Sequence, residues 1–104
     1  MKALLLALLF ASTVFAADPG LAYVYRDVDG NTIRLTVADC KSDAILARTP
    51  PQYRKVMRAG EASIGGTKHP LCWLSLPGGV VGMLYEDGDQ GRLPAAWFTT
   101  ETRA

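Results

Sequence analysis

The sequence predicts an α+β fold: a small antiparallel sheet or partly open barrel in the order β-β-α-β-β, with a short fifth strand, one helix and one disulfide. Three observations predict it. Residues 21–37 hold two period-two runs separated by an Asp-Gly turn. Residues 49–64 open with a helix-start signature and carry an apolar stripe at helical spacing. Cys40 and Cys72 flank that stretch.

The first hairpin is the clearest element. Leu21–Arg26 is rich in Tyr and Val, with Leu21, Tyr23 and Tyr25 on one face. Asp27-Val28-Asp29-Gly30-Asn31 supplies a turn whose Asp-Gly pair tolerates positive φ. In Thr32–Val37, Ile33, Leu35 and Val37 alternate with Thr32, Arg34 and Thr36, the pattern of a half-buried strand. The polar face implies an antiparallel sheet covered on one side only. Residues 39–46 carry no decisive period. Thr49 then reads as an N-cap, Pro50 as the first helical residue and Gln52 as the far half of a capping box. Tyr53, Val56, Met57 and Ile64 form the stripe, with Arg54, Lys55, Arg58 and Glu61 opposite, and Gly65-Gly66 ends the helix. Leu71–Leu76 and Val80–Glu86 are expected strands around Pro77-Gly78-Gly79. Arg92-Leu93 is a short fifth strand stopped by Pro94, and Thr99–Ala104 is expected to fray.

The N-terminus sets the compartment. Lys2 precedes an apolar run from Ala3 to Phe10 that continues to Ala16, broken only by Ser12 and Thr13. Val14 and Ala16 put modest or small residues at the −3 and −1 positions of a cleavage site. This is the layout of a signal peptide over residues 1–16, leaving residues 17–104 as a single exported domain. The run of about 15 residues is shorter than the ~20 a spanning helix needs. No basic stop-transfer cluster follows, so no integral membrane segment is expected after cleavage. The expected location is periplasmic or secreted.

Removing Lys2 leaves ten basic and ten acidic residues. A neutral chain is a poor nucleic-acid binder, because that affinity comes largely from neutralising phosphates. The charge is uneven: residues 41–68 carry a local +4 and residues 86–101 a local −3. Two cysteines in an oxidising compartment allow one pairing, Cys40–Cys72. Closing that loop is worth roughly 3.5–4 kcal/mol in the chain-entropy model. Two free thiols and a metal site are the alternatives, but His69 with two cysteines falls short of the four ligands of structural zinc.

Cys72-Trp73, Val80-Val81, Tyr85-Glu86-Asp87-Gly88-Asp89, Gly91, Leu93-Pro94 and Phe98 together resemble a loose group of small exported proteins of bacteria and their prophages. The specific part of the likeness is residues 72–98. It implies export and a small domain, and it carries no activity.

Chemistry-bearing residues are sparse. A Ser or Cys nucleophile needs a base, and His69 is the one histidine, fixed before Pro70 in what reads as a surface loop. Glu86, Asp87 and Asp89 crowd a Gly turn, where carboxylates are hydrated rather than poised as a glycosidase pair. Asp27, Asp29 and Asn31 alternate around Gly30 but lack the five or more oxygens of a calcium loop. No catalytic set, metal ligand set or cofactor is expected. Trp73 is expected in the core. Tyr25, Arg54, Lys55, Arg58, Tyr85 and Trp97 are the candidate binding surface, since aromatics and arginines carry contact energy. The expected function is a non-enzymatic binding or interaction protein of the cell envelope, whose partner is a protein or envelope component; inhibition of a cell-wall enzyme is one form of it. The rival expectations are a small hydrolase centred on His69 or the 86–89 acids, and a structural envelope or phage-related component.

Overall fold

The computed structural model describes residues 20–102. The signal peptide predicted over residues 1–16 lies outside them. The strands are β1 (Leu21–Arg26), β2 (Thr32–Asp39), β3 (Arg58–Ile64), β4 (Thr67–Leu76), β5 (Val80–Tyr85), β6 (Gln90–Pro94) and β7 (Thr99–Thr102). Two short helices, α1 (Asp43–Arg48) and α2 (Pro51–Arg54), interrupt β2 and β3, and a 3-10 turn (Ala95–Trp97) separates β6 from β7. All seven strands form one antiparallel sheet in the order β6-β5-β4-β3-β2-β1-β7.

This overturns the α+β expectation of one helix between two hairpins. The protein is a curled half-barrel that is mostly sheet. The predicted helix ends at Arg54, and its second half is β3, a central strand. The reason lies in residues 58–67. Gly60 and Ala62 face the core, with Ile64 on the same side but half-exposed at the strand end, while Glu61 and Ser63 lie on the other side, so a period of two was present beneath the helical stripe. Gly65 and Gly66, at φ 58° and 83°, do not end a helix; they turn a two-residue hairpin between Ile64 and Thr67. Thr49 is likewise not an N-cap. It closes the C-terminus of α1, and its hydroxyl donates to the Ile45 carbonyl at 2.8 Å. Ser42 is the N-cap, accepting from the Ile45 N–H.

Curling follows from connectivity. β6 and β7 lie at opposite ends of the strand order yet point the same way, and only Ala95–Phe98 separate them. They act as one strand that changes partner at the 3-10 turn, pairing β5 before it and β1 after it. Four residues reach only about 15 Å, so the sheet must bend round to meet its own first strand. The segment expected to fray is therefore strand β7 as far as Thr102.

The bend produces two apolar clusters, one on each face. The inner cluster is Leu35, Ala62, Leu71, Val81 and Met83, with Tyr23, Ile33, Trp73, Tyr85, Leu93 and Phe98 packed around it. The outer cluster is Cys40, Ile45, Met57 and Cys72, with Leu46, Leu74 and Leu84. There α1 lies on the outer face of β4 and β5. The Cys40–Cys72 disulfide fastens it, with Cα atoms 5.6 Å apart across a sequence separation of 32. A bulge between Leu35 and Asp39 breaks the β2–β3 ladder. Side chains satisfy the backbone freed there: the Trp73 indole N–H donates to the Thr36 carbonyl at 2.9 Å, and the Thr36 hydroxyl donates to the Ala59 carbonyl.

Candidate functional site

The residues expected to form one binding surface fall in three places. Tyr25 is half-buried at the seam where β7 returns to β1, with Trp97 stacked on it at 5.8 Å and Phe98 tilted at 5.9 Å. Trp97 keeps 54% of its surface exposed. Tyr85 is half-buried at the barrel mouth, where burial and then the charges of Asp89 and Asp87 push its hydroxyl above the ordinary tyrosine value. Arg54, Lys55 and Arg58 lie on the outer segment that follows α1.

Two of those cations hold the segment together. The Arg54 Nε donates to the carbonyls of Leu46 and Thr49, both at 3.0 Å, closing the end of α1. The Arg58 guanidinium donates to the carbonyls of Lys55 and Met57 and pairs with Asp39 at 3.2 Å. Among the described residues, the Lys55 ammonium makes no ion pair. The acidic turn is also engaged. Ser42 donates to Glu86 Oε2 at 2.8 Å, and Arg48 donates to the Glu86 carbonyl, so turn 86–89 docks on α1. Asp87 Oδ1 accepts from the Asp89 N–H. In the first hairpin turn, Asp27 accepts from the backbone N–H of Asp29 and Asn31 and from the Asn31 side chain. Partial burial pushes the Asp27 carboxyl up, and these bonds outweigh it, holding it below the usual range. In each acidic turn one aspartate, Asp27 or Asp87, accepts from backbone N–H groups of its own turn, and no group of three or more metal-ligating side chains occurs among the described residues.

Two concavities stand beside these groups. The first, about 420 Å³, is the mouth of the barrel, floored by Ile33, Met83 and Leu93 and rimmed by His69, Tyr85, Asp87 and Asp89. His69 sits in β4 rather than in a loop, and it forms no hydrogen bond with these acids among the described residues. The second, about 640 Å³, is a groove on the outer face that the sequence reading missed. One wall is the segment after α1, with Tyr53 46% and Val56 53% exposed; the other is β4 to β6, with Leu74, Leu76, Leu84 and Arg92. Its floor includes Gly82, where a Cβ would stand 2.8 Å from Leu76. Tyr53 and Val56 do not share a helical stripe with Met57 and Ile64, because α2 ends at Arg54. Among the described residues, no helix is long and apolar enough to cross a membrane.

No family model matches the chain, and no curated protein or solved structure matches it.

Proposed function

We propose that this is an exported, disulfide-stapled binding module of the cell envelope, acting without catalysis and docking a partner on its outer face. The observation that carries the reading is the groove beside the stapled helix, where Tyr53 and Val56 stay half-exposed above an apolar floor. Apolar side chains gathered in one concavity are what an interface core requires. The signal-like N-terminus and the disulfide support an oxidising compartment outside the cytosol, periplasmic or extracellular. Inhibition of an envelope enzyme is one form of this function, since blocking an active site needs only a rigid patch.

The test is a photo-crosslinking amino acid at position 56 of the full chain in its native cells. A discrete adduct is expected from position 56 and not from position 28, which is fully exposed at the tip of the first hairpin. Equal or absent adducts at both positions would contradict the reading. The hydrolase alternative draws on the mouth cavity that gathers His69, Tyr85, Asp87 and Asp89. His69→Ala separates the two: a binding module keeps its position-56 adduct, and dependence of that adduct on His69 would favour chemistry at the mouth.

A further inference from the structure

Resting on the binding reading above, we infer that the groove takes an extended polypeptide segment of a partner protein, apolar at alternate residues and carrying carboxylates, which adds as a strand to the free edge of β6.

The backbone of β6 is set up for this. Among the described residues, β6 pairs only with β5. The Tyr85 N–H donates to the Asp89 carbonyl at 2.9 Å, and the Ala95 N–H donates to the Gly79 carbonyl at 2.7 Å. Between these two pairs, at steps of two, lie Met83–Gly91 and Val81–Leu93. Gly91 and Leu93 therefore direct their backbone groups to β5, while Gln90 and Arg92 direct theirs away from the sheet. Pro94 is next in that outward row and has no N–H to leave unpaired, which is where an edge tolerates proline.

The same residues join the edge to the groove. Gln90, Gly91 and Arg92 line it, so an added strand, about 4.8 Å beyond β6, sends every second side chain to the groove side. Charge selects among such strands. Among the described residues, Arg92 is the charged residue of the lining and no carboxylate lines the groove, and Lys55, between Tyr53 and Val56 in sequence, is exposed. A segment bearing carboxylates complements that field. The short length of β6, its Arg and its Pro are devices that keep an edge from pairing with copies of itself. They leave one outward pair of residues, so recognition depends on the groove as well as on the ladder, as in strand-addition domains generally.

The experiment pans a phage-displayed library of random short peptides against the oxidised protein, then measures recovered peptides on two variants. Arg92→Pro deletes an outward donor while leaving the β5 pairs in place, and Val56→Asp puts a like charge in the groove wall. Recovered peptides should alternate apolar residues with carboxylates and bind each variant about tenfold or more weakly. Peptides that bind Arg92→Pro as tightly as the parent overturn strand addition but leave the binding module standing. No enrichment also overturns this inference, and the module falls with it only if position 56 yields no cross-link in cells. If Arg92→Pro does not fold, an N-methyl scan of a recovered peptide decides: loss at every second residue is expected, and uniform tolerance overturns the proposal.

Discussion

The two faces of the sheet are closed by different means. The inner face closes on itself: once β7 pairs with β1, Leu35, Ala62, Leu71, Val81 and Met83 are buried by the curl of the sheet. Among the described residues, no second sheet covers the outer face. A six-residue helix covers part of it, held by the disulfide, by Ser42 and Thr49 at its ends and by Arg54 across its last carbonyls. Where that cover stops, the groove begins. The difference teaches that in so small a domain the closed face sustains the fold and the half-closed face is the one left for partners.

The largest expected effect is at the staple. Cys40→Ala with Cys72→Ala should cost about 3.5–4 kcal/mol. In a domain of this size that lowers the melting temperature by more than about 10 °C, read by calorimetry under non-reducing conditions. A melting temperature within a few degrees of the parent would mean that the outer face does not need it. Next comes one substitution made on both faces. At Gly60, on the inner face, an added Cβ would stand 2.7 Å from Leu71 Cδ1 and 2.9 Å from the Arg34 carbonyl, which is backbone and cannot yield. Gly60→Ala should cost about 1–3 kcal/mol. At Gly82, on the outer face, the nearest atoms are side-chain carbons of Leu76 and Leu74 beside open space. Gly82→Ala should cost less than about 1 kcal/mol, and equal losses in urea unfolding would erase the contrast.

The contrast also explains what the sequence revealed. β1 and β2 were legible because Ile33 and Leu35 alternate with Thr32 and Arg34 along a strand of period two. β3 was not. Gly60 and Ala62 are too small to announce a buried face, and Tyr53, Val56, Met57 and Ile64 happen to share helical spacing. What fixes β3 as a strand is the ladder on either side of it, which pairs residues distant in sequence. Thr99–Thr102 was lost for the same reason, since its partner is the first strand, although its β-branched threonines were a local hint. The disulfide was legible from the count of cysteines. The groove was not, because it exists only where α2 stops short of the sheet.

Two smaller effects sharpen the picture. Thr49→Val removes the hydroxyl that donates to the Ile45 carbonyl from a buried position, at a cost of about 1 kcal/mol. An unchanged denaturation midpoint would remove Thr49 from the clasp of α1. At the seam, hydrogen bonds from Arg26 and Arg34, at 2.9 and 3.1 Å, hold the Glu101 carboxyl below its ordinary value. A carboxyl depressed in the folded state stabilises above its unfolded pKa, and that contribution is lost as pH falls through the folded pKa. The melting temperature of the parent should therefore drop more steeply on acidification than that of Glu101→Gln. Parallel curves would show that the β1–β7 closure does not depend on this carboxylate.

Hydrogen exchange on the oxidised and the reduced protein tests the division between faces most directly. On reduction, amides of residues 43–57 should exchange at least about tenfold faster, while those of β1, β2 and β3 on the inner side keep their protection. Uniform loss across all seven strands, or unchanged protection over residues 43–57, would contradict the account that a sulfur bridge holds the outer face and the curled sheet holds itself.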